Sequence, residues 1–597
     1  MLGPPLPTSA AATERLTRPR AMGAFGLDAL SSVAYGPDQI LYVLILAGSA
    51  GFALDMPIAF AIAALLAIVA FSYRQTIYAY PNGGGSYTVA RENLGTPAGL
   101  VAAAALMVDY LTTVAVSITA GVAAIVAFAP GLDAHRVVID VVLIVLIVLV
   151  NLRGIREAGA AFILPTYLFI GSLAVLLVLG ALHLLIEGTP PPARPLPHAT
   201  EGVTVFLVLR AFAGGCTAMT GIEAIANGVP AFRRPPSKNA AGTLITLAVI
   251  LAVLFLGVAA LGHAIRAIPT DQSNVIAQIG KTFAGSGSPL FYLVQGSSAI
   301  ILTLAANTSF NGFPRLAAVM AADDWFPHRF SHRGLRLAYS NGILAIGAAA
   351  IALVVAFDGS TNSLIPLFAV GVFLCFTLSQ AGMVHHWLSE RGPQWRRKAA
   401  INGTGAVVTG VVTLIVVGTK FTQGAWIVVL LVPALVALFY RVHGHYAAAR
   451  AALAVDRAPA SGRGPAAVVI PVAHLNRATA SALNYARSIS DDVLAVHVAA
   501  EEDEGDELEE GWTKWAGADI PLNVVESPYR EVVSPIVDLV EQLAAGSDVP
   551  VTVVIPTVVP AHPWEEPLHN QLEFALSLAL LGKPNVVIAS VPIRLTT

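Results

Sequence analysis

Three acidic residues stand inside stretches of the chain that are otherwise apolar. Asp28 and Glu223 lie in segments interrupted by glycines and hydroxyl residues, and Asp109 lies within a continuous apolar run. An ionisable side chain in the middle of a membrane span costs about 2.5–3.5 kcal/mol, and such residues are functional by default. Three of them would cost roughly 8–10 kcal/mol, which is comparable with the whole stability of a protein, about 5–15 kcal/mol. A bound cation, a proton or a basic partner must therefore offset this cost.

The spacing around Asp109 predicts a row of oxygen ligands. Asp109, Thr113 and Ser117 recur at every fourth residue, which places them on one face of a helix. Carboxylate and hydroxyl oxygens suit a hard cation. Helix packing, or bonding of the hydroxyls to their own helix, explains Thr113 and Ser117 equally well when each is taken alone.

The two interrupted segments contribute further oxygen atoms. The first holds Asp28 and Tyr35, and the second holds Thr220 and Glu223. A helix that is broken within a membrane also exposes carbonyl groups that bind cations. We expect Asp28 and Asp109 to be cation ligands. We expect Glu223 to exchange a proton, because glutamate has the higher reference pKa of the two acids.

Few other residues suggest chemistry. Arg210 is the one basic residue that we place inside a span near the acids, and we expect it to form an ion pair or to extend to the outer surface. It cannot neutralise all three acids. The sequence shows no pairing of a nucleophile with a base that would indicate an enzyme. It also shows no motif for an organic cofactor. The net charge of −3 gives no reason to expect nucleic acid as a partner.

The composition predicts a multi-pass membrane protein in the lipid bilayer. Of the 597 residues, 56% are hydrophobic and only 12% are charged, whereas soluble domains carry about 25% charged residues. Apolar runs of about 20 residues span a bilayer. Both cysteines, Cys216 and Cys375, fall inside such runs, which argues against a disulfide. The sequence predicts about twelve spans, at 24–49, 56–78, 98–128, 136–152, 159–187, 202–227, 240–265, 290–321, 341–357, 362–388, 401–419 and 424–446.

The order of the spans predicts two halves. Spans one to five and six to ten each begin with an interrupted segment, and an odd number of spans gives the halves opposite orientations. Spans eleven and twelve then lie outside the two halves. Lysine and arginine are about three times as frequent in one set of loops as in the other, which places that set and both termini in the cytoplasm. The loop Gly83–Gly85 is expected to be either a tight turn or part of a gate.

The last part of the chain has a different composition. We divide the chain into a cytosolic tail at 1–22, a transporter domain at 23–448, a linker at 449–462 and a cytosolic domain at 463–597. Short Val- and Ile-rich runs alternate with helical segments in the last domain, which predicts a parallel α/β sheet. No glycine motif for phosphate binding is evident there, so its ligand cannot be inferred.

Several sequence runs resemble a known family of secondary transporters, the amino acid–polyamine–organocation superfamily, and within it the KimA-type potassium importers. They are Asp28–Gly36, Ser72–Pro81, the Gly83–Gly85 loop and Val108–Tyr110, and the similarity extends into the C-terminal domain. The resemblance implies a proton-coupled potassium symporter of the LeuT-type 5+5 fold. It also implies a homodimer whose cytosolic domains resemble universal stress proteins, in a bacterial plasma membrane. The site residues that it implies are Asp28, Tyr35, Asp109, Tyr110, Thr113, Ser117, Thr220 and Glu223.

One position departs from the family pattern. A tyrosine commonly sits where this chain has Phe368, so one hydroxyl that could bind an ion or close a gate is lost.

Two other functions are compatible with the sequence. A permease for amino acids, polyamines or other organic cations is the main alternative. Asp28 argues against amino acids, because it would repel their carboxylate. The second alternative is a sensor protein whose cytosolic domain binds a nucleotide.

Overall fold

The computed structural model describes most of the chain. It covers residues 15–83, 85–153, 162–188, 197–270, 273–334, 338–454, 467–499, 504–517, 519–527, 531–546, 549–562, 565 and 572–595. These form two compact units. The first combines Glu14–Leu316 with Gly342–Ala437, and the second combines Ala317–Asn341 with Leu438–Thr597.

Helices account for nearly all the described structure before residue 454. In chain order they are α1 (Arg18–Phe25), α2 (Leu27–Ser31), α3 (Gly36–Leu44), α4 (Gly48–Phe52), α5 (Asp55–Ala79), α6 (Ser86–Leu94), α7 (Thr96–Val126), α8 (Arg136–Leu152), α9 (Ile163–Ile186), α10 (Val205–Gly215), α11 (Ile222–Asn227), α12 (Pro236–Ala264), α13 (Val275–Phe283), α14 (Pro289–Ala322), α15 (Ser340–Ala356), α16 (Thr361–Glu390), α17 (Trp395–Lys420) and α18 (Ala425–Leu453).

The membrane spans agree with the sequence-based prediction except for one. Within the described ranges, 11 helical segments are long and apolar enough to cross a membrane, counting the interrupted segments Leu27–Phe52 and Val205–Asn227 as one span each. The ninth predicted span, at 341–357, corresponds to α15, which is apolar but has only 17 residues. A straight crossing needs about 20 residues, so α15 is at the lower limit of length.

The first interruption is tighter than we expected. A 3₁₀ turn at Ser32–Ala34 joins α2 to α3, so the helix changes its winding but does not fully unwind. The hydroxyls of two serines bond carbonyls of the preceding turn: Ser31 donates to Asp28 O at 2.9 Å, and Ser32 donates to Ala29 O at 2.6 Å. Backbone groups in an apolar environment need such partners, which explains why serines occupy this interruption.

The second interruption is a true break. A 3₁₀ turn at Cys216–Met219 follows α10, Thr220 is extended, and Gly221 adopts a left-handed conformation with φ of +76°. Glycine is the residue that adopts this conformation without steric cost. The two interruptions are in contact, because Ser32 also donates a hydrogen bond to Ala218 O at 2.8 Å.

Two short helices occupy equivalent places in the chain. The nine-residue α6 lies between α5 and the long helix α7, and the nine-residue α13 lies between α12 and the long helix α14. Gly83 and Gly85, in the loop that precedes α6, pack against the end of α11. A Cβ at Gly85 would approach Asn227 Oδ1 to 2.6 Å, so glycine is required for this approach. Gly84 lies outside the described residues.

The C-terminal domain is the predicted parallel α/β fold. Its described residues form five strands, all parallel, in the order β3-β2-β1-β4-β5. Helices alternate with the strands along the chain, and apolar clusters form two cores. The elements are β1 (Val468–Pro471), α19 (Arg477–Ile489), β2 (Val493–Ala499), α20 (Glu504–Ala516), β3 (Leu522–Glu526), α21 (Val533–Ala545), β4 (Val551–Val559), α22 (Leu572–Leu580) and β5 (Val586–Arg594).

The predicted tail and linker differ from the structure at their ends. Residues 18–22, placed in the tail, belong to α1, and Ala21 and Met22 are buried. The first residues of the predicted linker continue α18 as far as Leu453. Alanine-rich sequence favours helix, which explains the extension. Residues 1–14 and 455–466 lie outside the described residues.

The loop after α14 is fixed to the last turns of α18. Asp324 accepts a hydrogen bond from His328 Nε2 at 2.8 Å and forms an ion pair with Arg450. The His328 ring stacks on Tyr446 with centroids 3.9 Å apart. Burial raises the pKa of Asp324, but the hydrogen bonds and positive charges of His328 and Arg450 outweigh it, so that pKa lies below its usual value. This carboxylate is therefore held in its charged form.

Candidate ion-binding site

The three acids of the sequence analysis line one cavity. Asp28 on α2, Asp109 on α7 and Glu223 on α11 border the same space, which we call the acidic cavity. The volume open to the centre of a water-sized particle is about 20 Å³, and one water needs roughly 10–15 Å³. Among the described residues that line it, none is Lys, Arg or His. The cavity therefore has room for one small particle and favours a positive one.

Asp28 lies where the two interruptions meet. Its Oδ1 accepts a hydrogen bond from the Thr220 hydroxyl at 3.4 Å. A Cβ on Gly221 would approach Asp28 Cβ and Oδ2 to 2.9 Å and Ala29 N to 2.7 Å. Because Gly221 has no side chain, the second break can lie directly against the first carboxylate.

Asp109 brings an oxygen with no partner. Its Oδ1 is buried and forms no hydrogen bond within the described structure, and the same holds for the hydroxyl of Thr308 on α14. Both residues line the acidic cavity. An unsatisfied buried polar atom costs about 1–3 kcal/mol, and more if it is charged. The chemistry of this pair suits a cation that binds both oxygens.

Glu223 has a different environment. Its Oε1 accepts a hydrogen bond from the backbone N–H of Ser86 at 2.9 Å. Ser86 is the first residue of α6, and no side chain caps that helix at Gly85. The first N–H groups of a helix have no partner within it and carry partial positive charge, so a carboxylate is a favourable acceptor there.

Tyr110 borders the acidic cavity from the side of the glycine loop. Its hydroxyl accepts a hydrogen bond from the Asn227 side-chain amide at 3.3 Å. A Cβ on Gly312 of α14 would lie 2.5 Å from the Tyr110 ring. The absence of a side chain at this position makes room for the tyrosine.

Tyr35 lines a second, larger cavity, which we call the vestibule. Its residues include Asp38, Gln39, Thr119, Asn274 and Thr361, and the volume open to the centre of a water-sized particle is about 80 Å³. The Tyr35 hydroxyl is buried without a hydrogen-bond partner among the described atoms. Tyr35 thus lines the vestibule, while Asp28, Asp109 and Thr220 are close enough to interact with it electrostatically.

Other predicted positions lie near the acidic cavity without lining it. Thr113 and Ser117 are both 1% exposed and continue from Asp109 along α7. Phe368 is fully buried in α16, whereas Val372 and Phe376 of that helix line the cavity. Arg210 forms an ion pair with Glu201, with 3.8 Å between Nη1 and Oε1, and does not line the acidic cavity.

Thr308, Ser309 and Asp38 were not predicted from the sequence. The first two line the acidic cavity from α14. The polar sequence from Asn307 to Asn311 inside an apolar span was the available signal. Asp38 follows Gly36 and Pro37 inside the first predicted span, 24–49, and was not among the predicted site residues.

A helical membrane fold with two interrupted spans around an acidic cavity defines a membrane transporter. Residues 29–442 match the family model described as amino acid permease, and residues 464–593 match that of the KimA potassium transporter C-terminal domain. The protein named Potassium transporter KimA from Bacillus subtilis (strain 168) is 40% identical over 598 residues, or 99% of this chain and 98% of that protein. The chain therefore belongs to the KimA-type potassium transporters of the amino acid–polyamine–organocation superfamily. Because these families are transporters, the expectation that the chain is not an enzyme is confirmed.

Proposed function

We propose that this chain imports potassium by proton symport and binds the ion in the acidic cavity. The observation that carries this proposal is the set of three carboxylates around a space for one particle, lined also by the residues of two unpaired oxygens, Asp109 Oδ1 and the Thr308 hydroxyl. Hard cations prefer oxygen ligands. Its relative in Bacillus subtilis is named a potassium transporter, which supports potassium as the cargo.

The size of the acidic cavity argues against the main alternative. An amino acid or a polyamine has many more atoms than a space of about 20 Å³ can accept. A bare cation of about the size of a water molecule fits this space. The carboxylate of an amino acid would also meet Asp28 and Asp109 without a basic partner.

Asp28, Asp109, Tyr110, Thr220 and Glu223 form the proposed site around the acidic cavity, with Thr113 and Ser117 continuing the polar stripe of α7. Thr308 and Ser309 extend it from α14. Tyr35 lies on the vestibule and would meet the ion before or after it occupies the acidic cavity. In this arrangement, side-chain oxygens replace the hydration shell of the ion one after another.

A 5+5 inverted repeat of the LeuT type accounts for the order and lengths of the helices. The lengths in the two halves correspond: α6 and α13 both have nine residues, and α8 and α15 both have 17. The long helices α7 and α14 have 31 and 34 residues. Movement of the halves against each other would expose the site alternately to the two sides. The excess of basic residues in one set of loops supports cytoplasmic termini.

Glu223 is the proposed proton carrier. In its charged form it accepts the Ser86 N–H, and a neutral carboxyl group would be a weaker acceptor. Protonation would thus weaken the contact between α11 and α6 while removing one negative charge from the cavity wall. This links the proton to both the ion and the position of α6.

The C-terminal domain is proposed to regulate transport or to hold two subunits together as a universal stress protein-like dimer. In a parallel sheet of order β3-β2-β1-β4-β5, the strand order reverses between β1 and β4. Ligands of such sheets bind at this switch point. A nucleotide is one ligand of suitable chemistry. Nucleotide titration of the full-length protein tests it: saturable binding supports a sensor, and no binding leaves dimerisation as the role.

Rubidium uptake by potassium-starved cells tests the transport proposal. Expression of the parent chain should raise uptake of labelled rubidium, and Asp109→Asn should abolish the increase. Asp140→Asn is the matched control, because Asp140 on α8 is also buried with both oxygens unpaired among the described atoms but does not line the acidic cavity. Equal uptake by parent-expressing and non-expressing cells would refute the proposal, as would organic-amine uptake that Asp28→Asn abolishes.

A further inference from the structure

In two hydrogen bonds of the first unit, a carboxylate accepts the backbone N–H at the start of a short helix. Asp38 Oδ1 accepts the backbone N–H of Val275 at 3.0 Å, and Glu223 Oε1 accepts the backbone N–H of Ser86 at 2.9 Å. Each carboxylate lies in the first turn of the helix that follows an interruption, α3 or α11. Each donor is the first residue of a nine-residue helix, α13 or α6. We call these contacts the vestibule latch and the glycine-loop latch.

The two latches cross between the halves of the chain. Asp38 belongs to the first half and holds α13 of the second, whereas Glu223 belongs to the second half and holds α6 of the first. Two contacts of the same chemistry, at equivalent places in both halves, are difficult to attribute to chance packing. Both are formed in this structure.

The latches border different cavities. Asp38 and Asn274, the residue before Val275, line the vestibule. Glu223 lines the acidic cavity, and Ser86 directly follows the glycine loop that packs on Asn227. A movement that separates α13 from α3 would widen the vestibule, and a movement that separates α6 from α11 would open the acidic cavity toward the glycine loop.

We propose that the vestibule latch and the glycine-loop latch are the two gate contacts of the transport cycle, and that one breaks while the other holds. This inference rests on the proposed transport function, to which it adds Asp38 as a positioning residue that acts through α13. A carboxylate at a helix N-terminus binds both an unpaired N–H and the positive end of the helix dipole. The contact stabilises one position of the short helix and is lost after a small displacement.

Proline substitutions test the donors selectively. Proline lacks an N–H and is tolerated at the first position of a helix. The residues before the two donors, Gly85 and Asn274, are extended, as proline requires of its predecessor. Val275→Pro should remove the vestibule latch, and Ser86→Pro should remove the glycine-loop latch. Val275→Ala and Ser86→Ala keep the N–H and are the controls.

Labelling of single added cysteines by a membrane-impermeant maleimide gives the readout. Ala120→Cys reports on the vestibule, where Ala120 is 8% exposed, and Ala224→Cys reports on the acidic cavity. The native Cys216 and Cys375 are buried and supply the blank. Intact cells expose the vestibule reporter in the proposed orientation, and inside-out vesicles expose the other.

Val275→Pro should raise the labelling rate of Ala120→Cys at least about fivefold and lower that of Ala224→Cys, and Ser86→Pro should do the reverse. If a proline variant does not fold, Asp38→Ala or Glu223→Ala removes the same latch from the acceptor side and decides the question. The proposal would be overturned if labelling were unchanged in folded latch variants. It would also be overturned if the alanine controls and the proline variants were labelled equally. Labelling is measured without ion gradients, so it tests the latches separately from rubidium uptake, which tests the transport function.

Discussion

The Thr220 hydroxyl donates a hydrogen bond to Asp28 Oδ1 at 3.4 Å and so joins the two interrupted spans. The adjoining Gly221 brings the second break within van der Waals contact of the same carboxylate. One side of the acidic cavity is thus built by two segments far apart in sequence. Changes at this contact should affect ion binding before they affect the rest of the fold.

Gly221→Ala should abolish rubidium uptake. Its φ of +76° would strain any other residue by about 1–2 kcal/mol, and the new Cβ would meet Asp28 and Ala29 at less than 3 Å. The breaks would have to separate. Gly171→Ala is the control, because a Cβ on that glycine of α9 meets nothing within 4 Å. Uptake by Gly221→Ala at the control's rate would contradict the proposed contact.

Thr220→Val should raise the potassium concentration needed for half-maximal uptake. The substitution keeps the shape of the side chain and removes the donor to Asp28. At 3.4 Å this hydrogen bond is long, so we expect it to contribute about 0.5–1.5 kcal/mol. The expected shift is about two- to tenfold. Thr220→Ser should restore the parent value. Thr246→Val is the control and should change nothing, because the Thr246 hydroxyl bonds Gly242 O of its own helix. An equally large shift in this control would show that the effect is not specific to Thr220.

Glu223→Gln should separate ion exchange from proton coupling. Glutamine keeps an oxygen that can accept the Ser86 N–H but cannot exchange a proton. In proteoliposomes, uptake of rubidium driven by a pH gradient should fall to background, while exchange of rubidium for internal potassium persists. Gradient-driven uptake at the parent rate would exclude Glu223 as the proton carrier.

Asp324→Asn should lower the thermal stability of the protein at neutral pH. In acid, the variant and the parent should have the same thermal stability. The pKa of Asp324 is lowered in the folded state, so its contribution is present above the unfolded value of about 3.9 and is lost as the pH falls through the folded value. Because Arg450 is 70% exposed, we expect a loss of about 1 kcal/mol at most. The Tm of parent and variant, measured from pH 7 to pH 3, should converge at the acid end. A constant difference in Tm would contradict the assignment.

The acidic cavity was partly predictable from the sequence because a carboxylate in an apolar span is rare and costly. That argument identified Asp28, Asp109 and Glu223, which the structure brings together. It could not identify Thr308, because a hydroxyl in a span costs little and is common at helix contacts. The strands of the C-terminal domain were predictable from their Val- and Ile-rich runs, but the order of the strands depends on contacts that periodicity does not specify.

The geometry of the interruptions and the latches required the structure. Glycines and hydroxyl residues indicate that a span is interrupted, but they do not distinguish the 3₁₀ turn at Ser32–Ala34 from the left-handed break at Gly221. The partner of Asp38 is a backbone N–H 237 residues away. A backbone donor leaves no trace in residue type, so the latch could not be read from the sequence.

Anomalous scattering from rubidium tests the central claim most directly. Crystals of the transport-active protein grown with rubidium in place of potassium should show an anomalous peak in the acidic cavity, within reach of Asp109 Oδ1 and the Thr308 hydroxyl. The peak should be missing in Asp109→Asn and present in Asp140→Asn. Ordered rubidium elsewhere in the membrane unit, with none in the acidic cavity, would contradict the account.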